Sequence, residues 1–234
     1  MLEVIQLIKR FGGLIAVNNL SMHVEKNKIL GVIGPNGSGK TTLLNCINGL
    51  YKPEKGRILL NGKEIQGLLP HEIAKIGIGR TFQVPKIFKR MTVMENLLAP
   101  VLSSELSDKE LKEIARKFLS QVNLLDHENE LGEELSGGQQ KLLELVRIMM
   151  FNPDLLLLDE PFAGVHPTLK AMFYERIMEL KESGKTFILV SHDINSIYTL
   201  CDQIIVLDRG EKIAYGKPED IRKNERVIEA YLGR

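Results

Sequence analysis

The sequence contains no tryptophan and only two cysteines, Cys46 and Cys201, among 234 residues. Neither cysteine belongs to a C-x-x-C pair or has a histidine at metal-ligand spacing, so they indicate no zinc site and no redox motif. We interpret both as small buried hydrophobic residues in a reducing compartment, which favours the cytoplasm.

Long apolar runs and an excess of one charge are also missing. No stretch reaches the roughly 18 apolar residues that cross a bilayer, and charges at Glu3, Lys9 and Arg10 interrupt the start, so neither an export signal nor a membrane anchor is expected. The 31 basic and 30 acidic residues give a net charge of +1, so no nucleic-acid partner is expected. With 44% hydrophobic residues, the chain has enough apolar material for one globular domain, with or without a subdomain.

A glycine-rich segment, GPNGSGKT at residues 34–41, is the first strong signal. It lies between an apolar run at 29–33 and a stretch with apolar residues at helical spacing, which predicts strand, loop and helix. Glycines let such a loop point its backbone N–H groups at phosphate oxygens, and the positive end of the helix adds to the attraction. In this motif Lys40 neutralises the β- and γ-phosphates of a nucleotide, and the Thr41 hydroxyl is a Mg²⁺ ligand.

Four further apolar runs predict strands, at residues 57–60, 154–159, 186–191 and 203–208. Their nearly continuous apolar character suits strands covered on both faces, and their alternation with helical stretches favours a largely parallel α/β sheet. Asp159 and Glu160 end one run, at the edge of the sheet where ligands bind. There Asp159 fits a Mg²⁺-side carboxylate, and Glu160 fits a base that aligns the attacking water.

Helical patterns dominate residues 84–151. Ser107 and Glu110 form a capping box ahead of apolar residues at amphipathic spacing. We expect a helical insertion between two parts of one α/β core, residues 1–83 and 152–234.

The motif LSGGQ at residues 135–139 opens another amphipathic helix, with Ser136 and Gln139 as its capping box. A capped helix does not explain Gly137 and Gly138, which weaken a first helical turn unless something approaches the backbone closely. An anion at this helix start would supply the reason.

These motifs, in this order and over essentially the whole chain, resemble the nucleotide-binding subunit of an ATP-binding cassette (ABC) transporter. The resemblance implies one domain, residues 1–234, with a P-loop NTPase (RecA-like) core, an N-terminal antiparallel β subdomain and an inserted helical subdomain. It also implies ATP and Mg²⁺ as cofactors.

The resemblance assigns functional residues one by one. For the ATP bound by the same chain, Phe11 is implied to stack on the adenine. The other residues implied to bind this ATP form the Walker A loop: Gly34, Asn36, Gly37, Ser38, Gly39, Lys40, Thr41 and Thr42. Those implied to contact ATP held by another chain are the signature residues Ser136, Gly137, Gly138 and Gln139. The implied Mg²⁺ residues are Thr41, Gln83 and Asp159, and the implied catalytic residues are Glu160, the Q-loop Gln83 and the switch His192.

The resemblance also implies partners. In this family two nucleotide-binding domains enclose two ATP molecules head to tail, so a homodimer or heterodimer that ATP closes and hydrolysis opens is expected. Integral membrane permease subunits are expected to contact residues 84–100, which places the chain on the inner face of the cell membrane.

Two positions depart from the family pattern. His166 stands in the D-loop, residues 163–167, where Asp or Asn is usual. Asn27 stands where glycine commonly precedes the Walker A strand, but Asn tolerates a positive φ, so a turn is still expected there.

Short phrases point to the transported substrate. The chain resembles ATPase subunits of branched-chain amino acid importers, and of the related urea importers, in four short segments: GGLIAVNNLSMHV, GIGRTFQ, MTVMENLL and VIEAYLG. DEPFAGV also resembles the ATPase of lipopolysaccharide export, which is one alternative. A soluble ABC ATPase acting on nucleic acid or ribosomes is a second, although the single cassette and near-neutral charge disfavour it. A small P-loop kinase is a third, but it leaves LSGGQ unused.

Overall fold

The computed structural model describes residues 1–232, so Gly233, which ends the VIEAYLG phrase, and Arg234 lie outside it. The strands are, in chain order, β1 (Leu2–Phe11), β2 (Leu14–Val24), β3 (Ile29–Ile33), β4 (Lys55–Leu60), β5 (Lys63–Glu64), β6 (Ile78–Arg80), β7 (Leu155–Asp159), β8 (Thr186–Val190), β9 (Gln203–Asp208) and β10 (Glu211–Gly216). The α-helices are α1 (Lys40–Ile47), α2 (Pro70–Lys75), α3 (Val93–Leu98), α4 (Asp108–Gln121), α5 (Gly137–Met149), α6 (Pro167–Glu182), α7 (Ile194–Leu200), α8 (Pro218–Arg222) and α9 (Glu225–Leu232).

The central sheet has the strand order β10-β9-β3-β8-β7-β6. Strands β9, β3, β8, β7 and β6 run parallel, and β10 pairs with β9 in the antiparallel direction. The largely parallel sheet predicted from the apolar runs at 154–159, 186–191 and 203–208 is therefore confirmed. Because β3, β8 and β7 are neighbours, the loops that follow Ile33, Val190 and Asp159 start side by side.

The strand predicted at 57–60 exists, but its placement in the parallel sheet is wrong. It is part of β4, which joins a separate antiparallel sheet with the order β2-β1-β4-β5. In this strand Ile58 and Leu60 are buried, whereas Arg57 is exposed and Leu59 is half-buried. Such alternation belongs to a strand with one covered face, and the four-residue run was too short to reveal it.

Alternate residues of the central strands face two separate cores. In β7, Leu156 and Leu158 belong to a cluster that includes residues of α5 and α6. Leu155 and Leu157 belong to a second cluster, which includes residues of α1 and of the antiparallel sheet. Both faces are apolar, which explains why the strand sequences are continuously hydrophobic.

Helices α3, α4 and α5 all fall within the stretch predicted to be helical. Both capping boxes are confirmed: the Ser107 side chain accepts from the N–H of Glu110, and the Ser136 side chain accepts from the N–H of Gln139. Within residues 1–232, the helices are all too short or too polar to span a bilayer.

Asn96 in α3 fixes the irregular segment that precedes this helix. Its side chain is fully buried, and its Oδ1 accepts from the N–H of Phe88 at 2.8 Å. Its Nδ2 donates to the carbonyl oxygens of Phe88 and Thr92, both at 2.9 Å. With a further contact from Nδ2 to the carbonyl oxygen of Met91 at 3.3 Å, a single amide binds four backbone groups in a segment without regular structure.

We expect Asn96→Ala to lower the free energy of unfolding by about 1 to 3 kcal/mol, because the substitution removes these hydrogen bonds and leaves the N–H of Phe88 without its acceptor. Urea unfolding followed by circular dichroism measures the loss. Asn195→Ala is the matched control, since the Asn195 side chain is exposed and has no hydrogen bond among the described residues, so its effect should stay within about 0.5 kcal/mol. Equal losses in the two variants would contradict the assigned role of Asn96.

Candidate active site

A cavity of about 630 Å³ lies at the carboxyl ends of the parallel strands, within the size range of small-molecule sites. Its lining residues are Phe11, Leu14, Ile15, Ala16, Asn36, Gly37, Gly39, Lys40, Thr41, Thr42, Gln83, Glu160 and Arg209. Nine of these thirteen are residues that the sequence predicts for the site. The structure thus brings the N-terminal β-sheet, the glycine-rich loop, the Q-loop and the end of β7 to one cavity.

The glycine-rich loop is built into the fold by close backbone approach. Gly34 has a φ of 148°, and a Cβ atom there would lie 2.0 Å from the carbonyl oxygen of Leu207, so only glycine fits. The N–H of Gly210 donates to the carbonyl oxygen of Ser38 at 3.1 Å. The turn after β9 therefore supports the loop from outside.

Lys40 is the first residue of α1, and its ammonium group lies inside the loop. Its Nζ donates to the carbonyl oxygens of Gly34 and Pro35, both at 2.8 Å. Burial lowers the pKa of Lys40, while the carboxylates of Glu160 and Asp159 act in the opposite direction. The lysine is thus a buried cation within the field of two acids, at the point where phosphate oxygens are predicted.

Asp159 ends β7 and is only 2% exposed. Its Oδ2 lies 3.3 Å from Nη2 of Arg80, while its Oδ1 has no hydrogen-bond partner among the described residues. Burial raises the pKa of Asp159, and Arg80 and the Thr41 hydroxyl act against this shift.

These donors fit the predicted Mg²⁺. A buried carboxylate oxygen without a partner and a nearby hydroxyl are hard oxygen ligands of the type that Mg²⁺ prefers. Within the described part of the chain, no group of three or more His, Cys, Asp or Glu residues could hold a metal ion. Magnesium sites commonly use one or two carboxylates and complete the shell with substrate phosphates and water.

Glu160 is held from several sides. Its backbone is left-handed, with a φ of 51°, and its N–H donates to the carbonyl oxygen of Val190 at 2.9 Å. Its Oε2 accepts from the N–H of His192 at 3.2 Å and from Oγ of Ser191 at 3.3 Å. A non-glycine residue with a left-handed backbone costs of order 1 to 3 kcal/mol, which the surrounding contacts offset.

The predicted switch residue His192 contacts the site through Glu160. The imidazole Nδ1 lies 2.8 Å from Glu160 Oε2, while the His192 side chain is 65% exposed. The ring is thus anchored at one nitrogen and open to solvent elsewhere, and His192 is not among the residues that line the cavity. The sequence argument that His192 and Glu160 share a sheet edge is confirmed.

Phe11 presents a ring beside the cavity and is 43% exposed. The ring of Tyr51 contacts it edge-on, with centroids 5.1 Å apart. Nζ of Lys9 lies 5.2 Å from the Phe11 centroid, as in a cation–π contact. The phenyl ring is therefore fixed in orientation and free to stack on a planar base.

The signature motif does not reach this cavity. None of residues 135–139 lines it, and Ser136 and Gly137 are exposed. The two glycines also differ: a Cβ on Gly138 would lie 2.9 Å from Cδ1 of Leu169, whereas a Cβ on Gly137 would meet nothing within 4 Å. Packing against Leu169 of α6 therefore favours a small residue at position 138, whereas nothing within this chain limits the size of the residue at position 137.

The structure explains how Asn27 and His166, the two departures from the family pattern, are accommodated. Asn27 adopts a φ of 58°, as expected for a turn without glycine. His166 caps α6, since its Nδ1 accepts from the N–H of Thr168 at 3.4 Å. The histidine thus performs the capping task that Asp or Asn performs at a helix start.

Four cavity residues escape the sequence argument: Leu14, Ile15, Ala16 and Arg209. The first three belong to β2 of the antiparallel sheet, and nothing in their residue types marks a binding site. Arg209 follows the end of β9, so the rule that ligands bind at the carboxyl ends of parallel strands could have found it.

Comparisons with known proteins agree with this geometry. The family model described as ABC transporter matches residues 17–163, more than half of the chain. The model described as branched-chain amino acid ATP-binding cassette transporter matches residues 211–234.

Two relatives match over the whole of this chain. A high-affinity branched-chain amino acid transport ATP-binding protein, BraF of Pseudomonas aeruginosa, is 42% identical, with 100% of this chain and 98% of the relative covered. A probable branched-chain amino acid transport ATP-binding protein, LivG of Archaeoglobus fulgidus, is 45% identical, with coverages of 100% and 95%.

Solved structures give the same result. A nucleotide-free ATP-binding cassette from an ABC transporter has a TM-score of 0.90 at 34% identity, covering 100% of this chain and 99% of that one. A dimeric, post-hydrolysis ATP-binding cassette bound to ADP and phosphate has a TM-score of 0.86 at 28% identity, with coverages of 93% and 99%. The chain therefore belongs to the ABC transporter family, as an ATP-binding cassette that hydrolyses ATP.

Proposed function

We propose that this chain is the ATPase subunit of a branched-chain amino acid importer. The cargo is supported by the match of residues 211–234 and by the names of the relatives. The observation that carries the hydrolytic mechanism is the contact of Glu160 with His192, 2.8 Å apart, beside the cavity into which Lys40 projects.

ATP is proposed to lie along the cavity with its adenine on Phe11 and its phosphates in the loop at residues 34–42. Lys40 exchanges its two carbonyl acceptors for β- and γ-phosphate oxygens. Each phosphate contact thus replaces a hydrogen bond that the lysine already makes, and the buried charge is compensated in both states.

Thr41, Asp159 and Gln83 are the residues that would hold Mg²⁺, which when bound neutralises charge on the transferred phosphoryl group. Glu160 acts as the base that aligns the attacking water. His192 fixes the carboxylate of Glu160 and contacts the γ-phosphate with the rest of its exposed ring. Phosphoryl transfer depends mainly on such positioning and charge compensation.

The active form is proposed to be a dimer. The exposed helix start at Ser136 and Gly137 is open to a ligand from outside the chain and lies away from the cavity of its own chain. ATP held by a second nucleotide-binding subunit supplies that anion, in keeping with the dimeric relative. His166 and its D-loop would then lie near the contact between the two subunits.

Permease subunits are proposed to bind at residues 84–100, on the cytoplasmic face of the membrane. Val84 and Phe88 are exposed apolar residues in this segment, at 69% and 50%. Beside them lies a groove of about 280 Å³ that includes Pro100 and Phe151. In this proposal residues 84–151 form the helical subdomain, and residues 1–83 and 152–234 form the ATPase core.

We expect Glu160→Gln to lower the rate of ATP hydrolysis by about a hundredfold or more, because the amide cannot accept the proton of the attacking water. Phosphate release at saturating MgATP measures the rate. Glu182→Gln is the matched control, since Glu182 is exposed at the end of α6 and should keep full activity. Unchanged turnover in Glu160→Gln would refute the role of this residue.

ATP is expected to trap Glu160→Gln as a dimer in light scattering, because closure persists when hydrolysis is blocked. Adding Gly137→Glu should abolish this dimer, since the new carboxylate would repel the γ-phosphate of the other subunit. Glu182→Gln in the same background should keep the dimer, since Glu182 is exposed and lies outside both the cavity and the signature motif. A monomer at all ATP concentrations, or a dimer that tolerates Gly137→Glu, would contradict the head-to-tail arrangement.

Purification from native membranes, with mass-spectrometric identification of the co-purifying permease, tests the cargo. A branched-chain amino acid permease is the expected result. Lipopolysaccharide export subunits in its place would overturn the proposed substrate and leave the ATPase mechanism standing.

A further inference from the structure

Three charged side chains follow one face of the signature helix α5. Lys141, Glu144 and Arg147 are spaced three residues apart, which places them on neighbouring turns of the same side. Glu144 is 1% exposed and Lys141 is 8% exposed. Buried charges of this kind are rare unless each has a partner, so their contacts indicate what the helix face is for.

All three charges bind backbone groups, Lys141 in the turn after β7 and Glu144 and Arg147 in the segment around Lys86. Nζ of Lys141 donates to the carbonyl oxygen of Glu160 at 2.7 Å and to that of Ala163 at 2.8 Å. This ammonium therefore joins α5 to the turn that carries the proposed base. These two hydrogen bonds compensate the buried charge of Lys141, which has no ion pair with an acidic side chain among residues 1–232.

Glu144 binds the Q-loop at two points. Its Oε2 accepts from the N–H of Phe82 at 3.1 Å, and its Oε1 accepts from the N–H of Lys86 at 2.7 Å. Gln83, which lines the cavity, lies between these two amides in the sequence. One carboxylate therefore fixes the backbone on both sides of Gln83.

Arg147 extends the same row toward the proposed permease surface. Its guanidinium group donates to the carbonyl oxygen of Lys86 and lies 5.4 Å from the ring centroid of Phe88. The peptide groups around Lys86 are therefore held by Glu144 through the N–H and by Arg147 through the carbonyl. Any shift of the Q-loop relative to α5 has to break these charged hydrogen bonds.

We propose that Glu144 is a positioning residue for Gln83, and that the row Lys141, Glu144 and Arg147 makes α5 the element that moves the Q-loop and the Glu160 turn together. The inference rests on the proposed role of Gln83 in hydrolysis. Glu144 does not touch ATP in this arrangement. It sets the place of the loop from which Gln83 reaches the cavity.

We call the two hydrogen bonds that Glu144 accepts from the N–H groups of Phe82 and Lys86 the clamp. Glu144→Gln tests the clamp with little change in the shape of the side chain. The amide offers one acceptor oxygen and one NH₂ group, so one of the two backbone N–H groups loses its acceptor. We expect kcat to fall about tenfold and the KM for ATP to stay within about twofold, because the loop at 34–42 and Phe11 are untouched. Glu133→Gln is the matched control, since its side chain is exposed and has no hydrogen bond among the described residues.

A double-mutant cycle with Gln83→Ala separates positioning from general stability. If Glu144 acts through Gln83, adding Glu144→Gln to Gln83→Ala should lower kcat by less than about twofold. Additive losses, or full activity in Glu144→Gln alone, would overturn the proposal. If Glu144→Gln fails to fold in thermal unfolding, Arg147→Met loosens the same loop from its carbonyl side and enters the same cycle, with the same expected non-additivity.

The cycle also distinguishes a failure of the proposed role of Gln83 in hydrolysis from a failure of the proposed role of Glu144 in positioning Gln83. Full turnover in Gln83→Ala alone would refute the role of Gln83 in the proposed function, and the clamp with it. A slow Gln83→Ala enzyme with an independent effect of Glu144→Gln would refute only the clamp.

Discussion

Parallel pairing of β3, β8 and β7 is the constraint on which the rest of the molecule depends. The pairing places the loop after Ile33, the proposed base Glu160 and the proposed switch residue His192 next to one another, although they lie far apart in the sequence. It holds because both faces of these strands are buried in separate apolar cores. The chemistry is therefore positioned by hydrophobic packing on either side of a sheet, while the polar groups occupy only its edge.

Near that edge, several charged side chains are held by backbone groups, in addition to the side-chain pairs of Asp159 with Arg80 and of Glu160 with His192. Lys40 and Lys141 both donate to backbone carbonyl oxygens, and Glu144 accepts from backbone N–H groups. A charge bonded to a peptide group fixes the path of a loop, which a side-chain pair does less directly. The cassette thus uses buried charges to fix loops, at some desolvation cost.

Much of this arrangement could be predicted from the sequence, where the signal was local. The loop at residues 34–41, the capping boxes and the apolar runs depend on neighbours in the chain, so spacing alone identifies them. The placement of β4 and the contribution of Ala16 depend on which strands meet, which spacing does not encode. Glu144 was missed for the same reason: on α5 it resembles any other helical glutamate, and its partners at Phe82 and Lys86 lie about sixty residues earlier.

The hydrogen bonds from Lys40 to Gly34 and Pro35 have a thermodynamic consequence. A phosphate-binding loop of glycines would ordinarily lose much conformational entropy when a ligand orders it. Here the lysine cross-links the loop to the first turn of α1 before any nucleotide arrives, so part of the ordering cost falls on folding, and binding exchanges these two hydrogen bonds for phosphate contacts. Less of the free energy of ATP binding is therefore needed to order the loop. More of it remains available for closing one subunit against another.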